Sequence, residues 1–267
     1  MGLKIGKWVV LVVLFCSMRV AAEPLNHQVW DELLQSHVVV LHSGRATQVD
    51  YASLAQERER LSAYLTQLGG VSQNQFDSWP KSEQLAFLIN AYNAWTVELI
   101  LRHYPSIESI RDLGSWFSSP WKQEFIPLLG ATRSLDDIEH NLIRGSNRYN
   151  EPRIHFAVNC ASIGCPALLP EAYTGTALEM QLDRATRSFL SDSTRNRLRG
   201  DELQVSKIFK WYGEDFERPW QGAHSLESFL ALYQQELNLS EIDVARLLNG
   251  DIDIEFLDYD WGLNQAQ

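Results

Sequence analysis

Residues 85–101, LAFLINAYNAWTVELIL, are apolar on nearly every face of a helix. Such a helix cannot lie on a surface; it must be enclosed by other elements. The rest of the chain therefore has to supply a shell around it. Pro80 stands where helix entry favours proline, so the helix is predicted from Lys81 to about His103. Asn90 and Asn93 lie three apart and share one face. An unpaired buried amide costs about 1–3 kcal/mol. The two are therefore expected to tie this helix to a neighbouring loop, or else to support a site.

The shell is legible as further helices and short strands. Residues 25–40 and 51–68 read as helices, the second stopped by Gly69-Gly70. Residues 121–128 resemble a strand. Ser134 with Asp137 three residues on resembles a capping box and opens a helix to about Arg144 that carries Glu139 and His140. In residues 153–159, Ile154, Phe156 and Val158 alternate with His155, Ala157 and Asn159, the pattern of a strand. A helix over 176–190 follows, then a hairpin over 195–205 turning at Gly200-Asp201. Helices over 225–235 and 240–248 come next, and a final strand over 251–257. Asp251, Asp253 and Glu255 fit the solvent face of that strand better than a calcium loop. Helices and strands mix without βαβ alternation, so the class is α+β: a mostly helical single domain over 23–267 with a small mixed or antiparallel sheet.

Residues 1–22 have the form of a secretory signal peptide. Lys4 and Lys7 precede an apolar run, and Val20-Ala21-Ala22 puts small residues before Glu23. Cleavage after Ala22 and a periplasmic or secreted location are the expectation, with no stable membrane span once the signal is removed. Loss of Lys4, Lys7 and Arg19 leaves 20 basic against 34 acidic residues, a net charge of −14. A surface that negative repels phosphate backbones, which argues against a nucleic-acid partner. The 9 tryptophans are numerous. Trp79, Trp116, Trp121, Trp220 and Trp261 sit in loop-like contexts, where large rings either plug the core from its rim or line a groove.

Chemistry concentrates in residues 153–166, RIHFAVNCASIGCP. The segment holds His155, Asn159, Ser162 and both cysteines of the exported form, Cys160 and Cys165. A thiolate at such a turn is a nucleophile when backbone N–H groups or a nearby imidazole stabilise it. Thiol hydrolases and transferases need Cys, His and an orienting Asn, Asp or Glu; Cys160, His140, His155, Asn159 and Glu139 supply these types. On an extended strand at ~3.3 Å per residue, His155 would lie roughly 16 Å from Cys160. By reach, His140 is the better base. The other reading is a disulfide between Cys160 and Cys165, which an oxidising compartment favours and which closes only a short loop. Glu139, His140, His155 and the cysteines are also zinc ligand types, yet no HExxH or paired CxxC appears. No metal and no cofactor is expected. Lys207, beside Phe209, Trp211 and Tyr212, could meet an anionic group or form a surface ion pair. Asp260, next to Trp261 in the terminal DYDWGLN, could orient a histidine or cap a helix. That aromatic tail is expected to dock back on the body. His27, His37, His42, His103 and His224 read as surface residues.

Five segments in this order, LAFLINAYNAWTV, SLDDIEHNLIR, RIHFAVNCASIGCPAL, VSKIFKWYGEDF and FLDYDWGLN, resemble domain-of-unknown-function family 547 over about 85–264. That family includes secreted bacterial proteins and plant proteins in which the domain lies beside other modules. Residues matching its pattern include Asn90, Tyr92, Asn93, Glu139, His140, His155, Cys160, Ser162, Cys165, Lys207, Tyr212, Tyr259, Asp260 and Trp261. The resemblance implies no reaction, so the chemistry rests on the residues. They support two functions: a thiol-dependent hydrolase or acyl transferase acting on a peptide or amide, papain- or transglutaminase-like by analogy, or a non-catalytic binding or scaffold module of the cell envelope with a disulfide-stapled loop. The partner is then an unidentified peptide, amide or protein.

Overall fold

The computed structural model describes residues 23–114 and 118–266. The signal-peptide reading of 1–22 and Trp116 lie outside the described residues. The helix Lys81–Leu101 is the axis of the molecule. Every residue from Gln84 to Leu101 is buried, as its all-round apolar sequence requires. Helices Gln28–His37 and Arg58–Gly70 pack around it, with Trp30, Tyr64 and Phe87 in the shared core. A second apolar cluster gathers Phe156, Phe189, Phe209, Phe216 and Phe229. Ile154 and Ala157 belong to the first cluster and Phe156 to the second, so the segment carrying His155 sits where two cores meet.

The sheets are small. Strands β1 (Val38–Leu41) and β2 (Ala46–Val49) form an antiparallel hairpin, as do β3 (Ile126–Leu128) and β4 (Ala131–Arg133). The third sheet has the order β5 (Arg197–Arg199), β6 (Glu202–Ser206), β7 (Asp253–Leu257). Its β5–β6 pair is antiparallel and its β6–β7 pair is parallel. The class is α+β, mostly helical, with one mixed and two antiparallel sheets among the described residues. Among the described residues no helix is long and apolar enough to cross a membrane.

Several predicted elements change. The helix expected over 25–40 ends at His37, because Val38-Val39-Val40 is β-branched and pairs with β2. The strand expected over 121–128 shrinks to β3. The strand expected over 153–159 is a 3₁₀ helix, Pro152–Phe156, followed by irregular chain. Residues 152–159 are all buried, so the apolar alternation does not mark an inner and an outer face. Pro152 opens the turn, and the Glu151 side chain accepts from Arg153 N at 3.1 Å. Two histidines expected at the surface are buried: His27 Nδ1 lies 2.7 Å from the Tyr64 hydroxyl, and His37 Nε2 lies 2.9 Å from Glu57 Oε1.

Candidate functional site

The two asparagines of the central helix hold the site's backbone. Asn90, fully buried, donates to Tyr173 O at 2.7 Å and accepts from Tyr173 N at 2.9 Å. Asn93 donates to Ala157 O at 3.0 Å and accepts from Asn159 N at 2.8 Å. The expectation that they tie the helix to loops is met, and the Asn93 pair fixes the chain on entry to Cys160. Asn159 continues the clamp: its amide donates to Pro166 O at 2.7 Å and accepts from Ala161 N at 2.9 Å. Both ends of that side chain are held by backbone, and among the described residues no histidine is hydrogen-bonded to it.

Cys160 and Cys165 are joined in a disulfide, with Cα atoms 6.2 Å apart. The bond forms part of the wall of a cavity of about 590 Å³. Cys160 is half-buried and Cys165 buried. Cys165 Sγ accepts from Cys160 N at 2.8 Å, and the Tyr259 hydroxyl lies 3.1 Å from Cys160 Sγ. Ser162, 1% exposed, has its Oγ 3.7 Å from the same sulfur. Among the described residues, no histidine nitrogen is hydrogen-bonded to either sulfur.

Another part of the wall comes from the helix opened by Ser134, whose Oγ accepts from Asp137 N at 3.0 Å. Its body, Asp137–Arg144, is a π-helix, a form found often at functional sites. Glu139 and His140 stand on it and line the cavity. Glu139 is buried, and its Oε1 lacks a hydrogen-bond partner. Burial, and then the nearby charge of Glu139, drives the Tyr92 and Tyr212 hydroxyls well above their usual pKa. His140 is half-exposed, with Nδ1 2.6 Å from Arg144 Nη1. Arginine only donates, so the His140 ring proton lies on Nε2, 3.7 Å from Asp136 Oδ1.

His155 also lines the cavity. It is buried and stacks on Tyr212 with centroids 3.9 Å apart. Its Nε2 is 2.7 Å from Asp215 Oδ2, and its Nδ1 has no hydrogen-bond partner. Burial holds His155 below its ordinary pKa, against the pull of the Asp215 bond. For Asp215, burial works against ionisation, but the bonds from His155 and Arg144 outweigh it and hold the carboxyl well below its usual range. Arg144 Nε donates to the same oxygen at 2.5 Å. An aspartate bonded to Nε2–H fixes the His155 tautomer and leaves Nδ1 as the ring's acceptor. The separation reasoned from an extended strand does not apply, because the 3₁₀ turn brings His155 to the same cavity as Cys160.

Trp121 and Trp261 form the rim at 5.7 Å between centroids, with the Arg111 guanidinium over Trp261 at 5.3 Å. Trp79 and Trp220 are core residues. The terminal segment docks as expected: Ile163 N donates to Gly262 O and Gly164 N to Asp260 O, both at 2.8 Å. Among the described residues Asp260 neither orients a histidine nor caps a helix; its Oδ1 accepts from Gly262 N at 2.9 Å, closing its own turn. Lys207 lies outside the cavity and pairs with exposed Asp258 at 3.2 Å. Among the described residues no group of three or more His, Cys, Asp or Glu side chains is arranged to hold a metal ion. Sequence reasoning missed Asp215, Arg144 and the contact of Tyr259 with sulfur. The segment VSKIFKWYGEDF contained Asp215, but nothing local marks it as a partner of His155.

Residues 76–190 match the model of a family described as "Protein of unknown function, DUF547". The matched stretch holds Asn90, Asn93, Glu139, His140, His155 and both cysteines, while Tyr212, Asp215 and Tyr259 lie beyond it. No curated protein and no solved structure matches the chain.

Proposed function

We propose that the cavity is the active site of a thiol-dependent hydrolase or acyl transferase acting on a peptide or amide. Cys160 is the nucleophile, and His155, held by Asp215, is the base. The observation that carries the reading is the His155–Asp215 pair on the same cavity as the sulfurs, with Nε2 bonded at 2.7 Å and Nδ1 left over. This is the division of labour a thiol site needs: one ring nitrogen oriented by an acid, the other left for the thiol. His140 serves less well as base, because its Nδ1 already accepts from Arg144. In the exported, oxidising setting that residues 1–22 imply, the disulfide is the resting form, and a dithiol reductant opens it. Cys160 sulfur then attacks the carbonyl carbon, the C–N bond breaks, and the His155 imidazolium gives its proton to the leaving amine. Water or an acceptor amine next attacks the thioester and returns the thiol.

The closed disulfide and its hydrogen-bonded loop favour a second reading, a non-catalytic binding or scaffold module of the cell envelope. One experiment separates the two. Reduced protein is incubated with acyl p-nitrophenyl esters and peptide amides, and Cys160 is followed by mass spectrometry. An acyl adduct on Cys160, absent from Cys160→Ser, supports the enzyme. A reduced, folded protein that never acylates supports the module.

A further inference from the structure

We infer that the Tyr259 hydroxyl donates to the Cys160 sulfur of this site and holds the thiolate once the disulfide opens. The inference rests on the proposed reading that Cys160 reacts. The Tyr259 hydroxyl is 3.1 Å from Cys160 Sγ. A bonded sulfur carries no proton, so in the disulfide the phenol is the donor. Burial raises the Tyr259 pKa, so the phenol keeps the proton it donates.

The donor is fixed in place by structure far from it in sequence. Its ring packs on Trp211 at 4.9 Å and on Trp261 at 4.5 Å. Its chain is pinned to the cysteine loop by the bonds from Ile163 N and Gly164 N and by the antiparallel bridge Ser162–Leu263. Gly164 makes that approach possible, since a Cβ there would meet Asp260 O at 2.9 Å and Tyr259 Cδ1 at 3.0 Å. The partner sulfur has a donor of its own in Cys160 N–H. When a dithiol attacks Cys165 Sγ, the S–S bond breaks and its electron pair leaves on Cys160. The reagent's second thiol then displaces Cys165 as a thiol, and the reagent departs as its disulfide. The departing Cys160 thiolate finds the Tyr259 hydroxyl already in place. Hydrogen bonds to the charged form favour it.

The test is the pH profile of Cys160 alkylation by iodoacetamide in dithiothreitol-reduced full-length protein, with thiolate ultraviolet absorbance as a second readout. The wild-type midpoint is expected below the free-thiol value of about 8.5. Tyr259→Phe keeps the ring and is expected to raise the midpoint by about 1 pH unit, the worth of a charge-assisted hydrogen bond. Equal midpoints overturn the inference. Should the variant not fold, a wild-type midpoint at or above about 8.5 overturns it equally. A Tyr259-dependent midpoint without acyl transfer upholds this inference and overturns the enzyme reading. Acyl transfer with a midpoint indifferent to Tyr259 does the reverse.

Discussion

Asp215 joins three parts of the molecule, so its replacement by Asn has a magnitude that can be worked out. The carboxylate is 6% exposed and accepts from His155 Nε2 at 2.7 Å and Arg144 Nε at 2.5 Å. An amide keeps the shape, but its N–H₂ group opposes one of these donors and its charge is gone. Breaking a buried pair from one side costs about 3–5 kcal/mol. For a chain of this size, about 2–4 °C per kcal/mol applies, so the melting midpoint of Asp215→Asn should fall by ~10 °C. The pH dependence carries the sign. The folded-state pKa of Asp215 is depressed, so its stabilisation is present in full above the unfolded value of about 3.9 and is lost as pH falls through the folded value. The gap between wild type and variant should therefore stay flat from about pH 5 to 8 and narrow below about pH 4. Thermal and urea unfolding across that range measure it. A variant within about 1 kcal/mol of wild type at neutral pH would refute the claim that Asp215 anchors His155 and Arg144.

Other perturbations have equally definite outcomes. Asn93→Ala leaves Ala157 O and Asn159 N without their buried partners and should cost about 2–4 kcal/mol by urea unfolding. Burial lowers the His27 pKa to about 4; the unfolded ring, at about 6.5, takes up its proton first, so stability is complete above that pH and falls by about 3 kcal/mol as pH drops to about 4. His27→Gln should flatten that limb of the pH–stability curve, with His155 contributing in the same direction. Gly164→Ala drives a methyl into Asp260 backbone and should detach the terminal segment, read as faster amide exchange at Ile163 and Gly164.

The central helix was legible in the sequence because its signal is local: an unbroken apolar run behind a proline, with two amides on one face. The hairpin at Gly200-Asp201 and the final strand were legible for the same reason. The segment before Cys160 was misread because complete burial imitates the alternation of a strand, while Pro152 and Glu151 start a 3₁₀ turn. The distance argument for His140 rested on that strand, since the reach from His155 to Cys160 was measured along an extended chain that does not form. Asp215 and Tyr259 lie 60 and 99 residues from the groups they serve. No periodicity connects such positions; only the packing of the second core and the docking of the tail brings them to the cavity. His27 and His37 look like surface histidines in sequence because their partners, Tyr64 and Glu57, lie on other elements.

The central claim is that Cys160 is a nucleophile served by His155. The most direct test compares alkylation rates of Cys160 and Cys165 in reduced, folded protein at neutral pH, in wild type, His155→Ala and His140→Ala. The account predicts that Cys160 reacts much faster than Cys165. It predicts a loss of about 10²-fold in His155→Ala and a far smaller loss in His140→Ala. Equal rates at the two cysteines, or a Cys160 rate indifferent to His155, would contradict it.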